Sequence, residues 1–292
     1  MGLMPPELSV KSNVRQLLAA HNLFAKKHLG QNFLTDSHAL AKIVAAADVG
    51  ANDLIIEVGP GLGVLTLELA KHAKKVCAIE IDANLAEILR SHVPVNVDVI
   101  EQDVLKTDFA ELVGDDDYEY ASVKLVANLP YYITTPVIFA ALESSLPINT
   151  IVVMVQKEVA ERMLAAPSTK AYGLLTLSVA YYGQASLVAN VPPNSFFPRP
   201  DVHSAVIKID VNKAMHSHID HTIFTTLTKA AFANRRKTLL NCLQAHAAQT
   251  LDLSKAQIAE LLTQAGLAEN VRGEALAFED FARLADIISA TT

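Results

Sequence analysis

Asn128, Leu129, Pro130 and Tyr131 form the stretch of this chain whose residue types are best suited to chemistry. The apolar run Val123-Lys124-Leu125-Val126-Ala127 precedes them and reads as a buried strand entering a tight turn. An Asn side-chain oxygen accepts one hydrogen of an exocyclic amine. The Leu129–Pro130 backbone, stiffened by proline, can aim a carbonyl at the other hydrogen. Two acceptors on one amino group turn its lone pair out of the ring plane, ready to attack an electrophile. Tyr131 offers a flat face on which a base can stack. The bland alternative is a strand-end turn with a buried tyrosine, and the tetrapeptide alone leaves the two even.

Residues upstream tilt the balance. Leu54-Ile55-Ile56 runs into Glu57-Val58-Gly59-Pro60-Gly61-Leu62-Gly63, a strand entering a glycine turn, with a helix following over 64–72. Gly59 and Gly61 permit close backbone approach to a ligand. The spacing is G-x-G-x-G, and Val64 occupies the third glycine position of the dinucleotide fingerprint G-x-G-x-x-G. The strand-final acid ahead of the glycines suits a cofactor with a cationic amino-acid end better than one with a pyrophosphate. A second strand, Lys75-Val76-Cys77-Ala78-Ile79, ends in Glu80, placed where an acid accepts both ribose hydroxyls. Asp82 competes for that role but is better placed to cap the helix beginning near Ala83. Val97-Asp98-Val99-Ile100 leads to Asp103, which can accept from an adenine amine, or simply be a solvated loop acid.

These residues need one sheet edge to bring them together. Strands are expected near 54–58, 76–80, 97–101, 123–127, 150–156, 185–191 and 203–209, with helices near 13–20, 135–142, 157–165 and 172–182. Alternating strands and helices imply a mostly parallel seven-stranded sheet, whose carboxyl edge binds ligands. Only 193–199 separates the last two strands, so they should pair antiparallel at one edge. From His221 onward the pattern is helical. The expected division is an α/β catalytic domain over 1–210 and a small helical domain over 211–292 that contacts substrate.

Composition fits a cytoplasmic enzyme. No apolar run approaches the roughly 20 residues of a membrane span, and residues 1–10 have neither the cationic start nor the apolar core of a signal peptide. Cys77 and Cys242 fall in a predicted strand and helix, so no disulfide framework is expected. The net charge is −7, all of it in 1–210, which holds 16 Lys/Arg against 23 Asp/Glu; 211–292 holds 8 of each. Attraction to a polyanion must then be local, since the Debye length is about 8 Å in physiological salt. Lys26-Lys27-His28, Arg199 and Arg235-Arg236-Lys237 are the candidate patches, each also readable as a solvated surface cluster. Asp115-Asp116-Asp117 reads as an exposed loop. His216-Ser217-His218-Ile219-Asp220-His221 matches the spacing H-x-H-x-D-H of metallo-hydrolases, but only His246 follows, so it reads as a His-rich linker with no metal. No G-x-S-x-G elbow or activated cysteine motif occurs.

Taken together, these motifs resemble those of the S-adenosylmethionine-dependent ribosomal RNA adenine dimethyltransferases, the KsgA/RsmA family. The resemblance runs from about Lys26 to at least Leu243. Lys27-His28-Leu29-Gly30-Gln31-Asn32-Phe33-Leu34 is similar to the family's cofactor-covering segment, which implies cofactor contacts at Gln31, Asn32 and Leu34. The glycine turn, Glu80, Asp103 and 128–131 are similar to its cofactor and target-amine motifs. Val191-Pro192-Pro193-Asn194-Ser195-Phe196-Phe197-Pro198-Arg199-Pro200-Asp201-Val202-His203-Ser204 is similar to its second target-base motif, which aligns Phe196 as the ring facing Tyr131 across the base; Phe197 is the competing stacker. Phe232-Ala233-Asn234-Arg235-Arg236-Lys237-Thr238-Leu239-Leu240-Asn241 is similar to its basic helix, with Asn234 and Leu240 departing from a Gln and an Arg.

The resemblance implies a class I methyltransferase with a Rossmann-like sheet. It implies a monomer that takes methyl groups from S-adenosyl-L-methionine, needs no metal, and dimethylates two adjacent adenosines near the 3′ end of small-subunit (16S) rRNA. Three other readings remain at this point; a small-molecule methyltransferase is the one that the helical tail and basic helix disfavour. The remaining two are the large-subunit methyltransferase of macrolide resistance and a non-catalytic assembly or transcription factor on the same fold.

Overall fold

The computed structural model describes residues 10–21, 23–26, 29–113 and 120–291. Lys27, His28 and Asp115-Asp116-Asp117 lie outside them.

The first helix, α1 (Val10–Ala20), leads through a segment containing the short strand β1 (Phe33–Leu34) to α2 (Ser37–Ala47). The sheet then builds from β2 (Asp53–Val58), α3 (Val64–Ala70), β3 (Lys75–Glu80), α4 (Ala83–Arg90), β4 (Val97–Glu101), β5 (Ser122–Asn128), α5 (Thr134–Glu143) and β6 (Ile148–Gln156). After α6 (Lys157–Met163) and α7 (Leu174–Tyr182) come β7 (Gly183–Val191), β8 (Phe196–Phe197) and β9 (Ser204–Val211). The seven-stranded order is β4-β3-β2-β5-β6-β9-β7, with β1 and β8 forming a separate pair.

Strands β4, β3, β2, β5 and β6 run parallel. Every residue of β2 and the five inner residues of β5 are buried, as continuous Val/Ile/Leu runs covered by helices on both faces require. Strand β9 runs antiparallel to β6, from Thr150↔Asp210 to Gln156↔Ser204, with β7 beside it at the edge. No crossover helix separates β7 from β9, so the last strand returns directly.

One charge interrupts the apolar β5 run. Lys124 is 8% exposed and pairs with Asp53 of β2 at 2.8 Å, while also donating to the Asp48 carbonyl. The pair bridges the amino-terminal ends of the two central strands.

The chain forms two compact units, Met1–Ala160 with Ser186–Val211, and Glu161–Ala185 with Asn212–Thr292. The expected single cut after 210 therefore misses an excursion, because 161–185 belongs with the helical unit. The reason is that α7 is apolar on more than one face and its neighbours bond within that unit. Tyr181 Oη donates to the Ile219 carbonyl at 3.0 Å, and Tyr172 Oη to the Leu276 carbonyl at 2.7 Å. The unit's other helices are α8 (His221–Ala233), α9 (Leu239–His246), α10 (Ala248–Leu251), α11 (Lys255–Gln264) and α12 (Phe278–Ser289). Phe224, Leu227, Leu243, Leu262 and Phe281 fill its core.

Residues 232–241 are not one helix as expected. Helix α8 stops at Ala233, and Thr238 starts α9 by accepting from the Asn241 N–H. Arg235, Arg236 and Lys237 thus sit on a turn between helices.

Removing one member of a buried ion pair strands the other charge, a loss of about 3–5 kcal/mol. Asp53→Asn should lower unfolding free energy by that order in urea denaturation. A loss below about 1 kcal/mol would show that Lys124 is solvated in spite of its burial.

Candidate active site

Because β2 to β5 are parallel, their carboxyl ends open on one edge, on either side of the switch where β5 follows β2. A cleft of about 1200 Å³, counting its open mouth, occupies this edge. Its walls carry Glu57, Gly59 and Gly61 from the turn after β2, Glu80 from β3, Asp103 after β4, and Asn128 to Tyr131 after β5. Gln31, Asn32 and Leu34 close it from the N-terminal segment.

The glycine turn is held against Glu80. Gly61 N–H donates to Glu80 Oε2 at 3.1 Å, and Asp82 N–H donates to Oε1 at 2.9 Å. Burial raises the Glu80 pKa, and these backbone bonds oppose the rise. Gly59 has φ +67°, and a Cβ there would lie 3.4 Å from Pro130 Cδ. Gly61 has φ +59°, and a Cβ would sit 3.1 Å from the Phe33 ring. Both positions therefore need glycine for conformation, and Gly61 for closeness as well.

Asp82 caps α4 by accepting from Asn84 N–H, as the sequence indicates. It does more. Lys26 Nζ reaches its Oδ1 at 2.9 Å and Gln31 Nε2 its Oδ2 at 3.0 Å. Burial raises the Asp82 pKa, but the Lys26 and Gln31 bonds outweigh it and the net shift is downward. Lys26, expected to contact RNA, is thus engaged in holding the N-terminal segment over the cleft. Asp103 caps a short turn, accepting from Leu105 N–H at 3.0 Å, and stays half-buried on the cleft wall.

The amine turn is fixed by its neighbours. Asn128 Nδ2 donates to the Asn32 carbonyl at 3.1 Å, and Asn32 Nδ2 donates to the Gly30 carbonyl at 3.1 Å. Leu129 N–H donates to Met154 O at 3.2 Å. Pro130 O accepts from Ile133 N–H at 3.2 Å and from Thr134 Oγ1 at 3.3 Å. Of the two carbonyls in the Leu-Pro step, Leu129 O is therefore the better placed to serve a ligand. Tyr131 Oη and Ser204 Oγ are 2.8 Å apart, which pins the half-buried ring from the start of β9.

Phe196 departs from expectation. Its β8 residue pairs with Leu34 of β1, and its ring is 3% exposed in the core with Val191 and Val206. It is not among the residues that line the cleft. Phe197 is half-buried in a second cluster with Phe33 and Leu62. The same pairing ties the second target motif to the N-terminal segment, reinforced by Ser195 Oγ donating to Asp36 at 2.7 Å.

Sequence reasoning missed the apolar walls. Ile81, Leu105 and Tyr132 line the cleft with 48%, 49% and 56% of their surface exposed. Ile81 directly follows the strand-end acid Glu80, and Leu105 comes two residues after Asp103; that recurrence is the signal available in the sequence. Branched aliphatic side chains and a tyrosine ring beside acids suit a purine and its ribose. Glu57 contributes a buried carboxylate whose Oε2 has no hydrogen-bond partner. Together, a strand-end acid held by two backbone N–H groups, a close glycine turn and a buried acid with one unpartnered oxygen fit S-adenosylmethionine, which has ribose hydroxyls and a cationic amino-acid end.

The candidate RNA contacts behave differently from one another. Arg199, Arg236 and Lys237 are exposed. Arg235 is not free, since it donates to Glu274 Oε2 at 3.0 Å and to the carbonyls of Lys170 at 2.7 Å and Thr169 at 3.1 Å. In the His-rich segment, His221 Nε2 lies 2.8 Å from Tyr182 Oη, and the His216 ring packs at a tilt against Phe278 with centroids 4.5 Å apart. Among the described residues no group of three His, Cys, Asp or Glu side chains is arranged to hold a metal ion. No helix among them is long and apolar enough to cross a membrane. Both cysteines are free and buried.

The parallel sheet and its strand-end cleft define a class I methyltransferase. Comparison with known proteins narrows the class. Residues 22–289 match the family Ribosomal RNA adenine dimethylase. The Ribosomal RNA small subunit methyltransferase A of Clostridioides difficile is 46% identical over 285 residues, covering 97% of each chain, and that of Lachnoclostridium phytofermentans is 43% identical, covering 94% of each. A dimethyladenosine transferase from Plasmodium falciparum is similar in structure, with TM-score 0.73 and 28% identity, covering 86% of this chain and 95% of that one. The 23S rRNA methyltransferase ErmE, at TM-score 0.65 and 24% identity, covers 88% of this chain and all of that one, and shares the fold. The chain belongs to the ribosomal RNA adenine dimethylase family.

Arg235→Ala should destabilise the helical unit by about 1–3 kcal/mol, since it leaves two carbonyls and Glu274 without their donor. Arg236→Ala should change stability by less than about 0.5 kcal/mol. Equal thermal shifts for the two variants would contradict this division of roles.

Proposed function

We propose that this protein transfers methyl groups from S-adenosylmethionine to the exocyclic amines of two adjacent adenosines in the 3′-terminal hairpin loop of small-subunit rRNA, in the cytoplasm, during ribosome assembly. The observation that carries the reading is the fixed Asn128 amide. Its Nδ2 is taken by the Asn32 carbonyl, which leaves Oδ1 as the acceptor for a target amine.

Bound S-adenosylmethionine supplies a methyl group activated by a sulfonium. The protein's residues supply alignment. Asn128 Oδ1 and Leu129 O accept the two N6 hydrogens and turn the nitrogen lone pair toward the methyl carbon. Tyr131 supports the base, a stacking contact worth roughly 1–3 kcal/mol. The amine becomes acidic only as the new N–C bond forms, so water can take the proton and no strong general base is required. This is catalysis by proximity and orientation. Glu80 would hold the ribose, Asp103 the adenine amine, and Gln31, Asn32 and Leu34 the cover. Arg199, Arg236 and Lys237 remain as exposed phosphate contacts, with Lys27 a further candidate from the sequence. The large-subunit reading is disfavoured by the small-subunit names of the relatives at 43–46% identity.

Primer extension through the small-subunit 3′ end in a deletion strain should show loss of two adjacent stops. Complementation with Asn128→Ala should not restore them, while the purified variant should bind S-adenosylmethionine within a few-fold of wild type. Stops restored by Asn128→Ala would contradict the amine-binding role.

Arg236→Ala with Lys237→Ala should weaken binding to the small subunit and reduce the slope of log K against log salt by about 1 per lost phosphate contact. An unchanged slope would make these side chains solvated surface only.

A further inference from the structure

The segment 191–204 reaches the cleft through a serine. Ser204 opens β9, opposite Gln156 at the carboxyl end of β6. Strand β6 carries β5 on its other side, with Asn128 opposite Met154. The head of β9 thus comes to the sheet edge where the amine turn sits. Ser204 is wholly buried, and its Oγ lies 2.8 Å from Tyr131 Oη. The backbone around it is held as well. The His203 carbonyl accepts from Lys157 N–H at 2.9 Å, and the ladder with β6 runs on from Ser204 to Asp210. A serine has one side-chain torsion, and close packing leaves it little room. Its oxygen is a fixed point beside the cleft.

Tyr131 is the opposite case. It follows the strand in a single short turn, Tyr131–Ile133, and its half-buried ring lines the cleft. Several staggered χ1 wells are open to a side chain so placed. The bond to Ser204 selects one, because it fixes the far end of the ring. A phenolic O–H lies in the ring plane, so the same bond favours one plane. Stacking area alone does not need the hydroxyl, since a phenylalanine offers a base the same face. What the hydroxyl adds is the placing of that face.

We infer that Ser204 is a positioning residue for methyl transfer: through Tyr131 Oη it sets the plane on which the target adenine lies. The inference rests on the methyl-transfer reading above. Asn128 Oδ1 and Leu129 O accept hydrogens that lie in the plane of the base, and the lone pair they free points across that plane. A tilted base therefore carries the attacking orbital off line while its stacking area stays nearly the same. A misplacement of about 1 Å can cost on the order of 10²-fold in rate. The loss falls on the chemical step rather than on binding.

Single-turnover methylation of unmodified small subunits by Ser204→Ala, Tyr131→Phe and the double variant tests this. Each single variant should lower the maximal rate about tenfold, with the half-saturating enzyme concentration within about threefold of wild type. Affinity for S-adenosylmethionine by calorimetry should stay within about twofold, because the cofactor contacts are untouched. The double variant should be no slower than the slower single one, since both changes break the same bond. A Ser204→Ala rate within about twofold of wild type would overturn the inference. Losses that multiply in the double variant would overturn it too, because the two hydroxyls would then act apart. Weaker half-saturation at an unchanged maximal rate would do the same, reducing the pair to target binding. Tyr131→Phe leaves β9 unaltered, so it carries the test by itself if Ser204→Ala fails to fold; an unimpaired Tyr131→Phe rate overturns the inference. If wild type leaves the subunits unmethylated, the methyl-transfer reading fails and this inference falls with it.

Discussion

A carbonyl oxygen can only accept a hydrogen bond, and that fact orients the amine-binding turn. With the Asn32 carbonyl 3.1 Å away, Asn128 must present its amide nitrogen to it and its oxygen to the cleft. The orientation lasts only while residues 29–34 stay in place. They are held at one end by Lys26 and Gln31 on Asp82 and at the other by the pairing of β1 with β8. One segment thus fixes the cofactor side and the target side of the cleft together.

Three of the acids at this edge are handled in three ways. Asp82 is answered by Lys26 and Gln31 and stays charged. Glu80 is answered by two backbone N–H groups, which place its carboxylate and the Gly61 backbone in one rigid unit. Glu57 is left without a donor on Oε2. A chain of net charge −7 approaches a polyanion with Arg199, Arg236 and Lys237 exposed. At a Debye length near 8 Å, local cations matter more than the total.

The sheet was legible because its central strands are buried Val/Ile/Leu runs, β2 entering a glycine turn and β3 ending in an acid, and the helices between them carry their own periodicity. Glu80, Asp103 and the residues of 128–131 could be placed because parallel strands share one carboxyl edge. What was hidden depends on contacts distant in sequence. Arg235 looks like its neighbours Arg236 and Lys237 until Glu274 and the 169–170 carbonyls appear beside it. Lys26 looks like an RNA contact until Asp82 folds back onto it. Phe196 and Phe197 are adjacent aromatics, and only strand pairing decides which is buried. The helical unit's claim on 161–185 follows from tyrosine bonds to Ile219 and Leu276, which no local pattern reveals. The turn within 232–241 was signalled by Thr238, a good helix N-cap read as mid-helix.

The central claim is that a target adenine is held by Asn128 Oδ1 and Leu129 O. A structure of the protein with S-adenosylhomocysteine and an adenosine nucleotide tests it most directly. The account predicts N6 within hydrogen-bond distance of both oxygens, with the ring over Tyr131 and Asn128 Nδ2 still on the Asn32 carbonyl. An adenine whose N6 meets neither oxygen, or an Asn128 that has turned its nitrogen into the cleft, would contradict it.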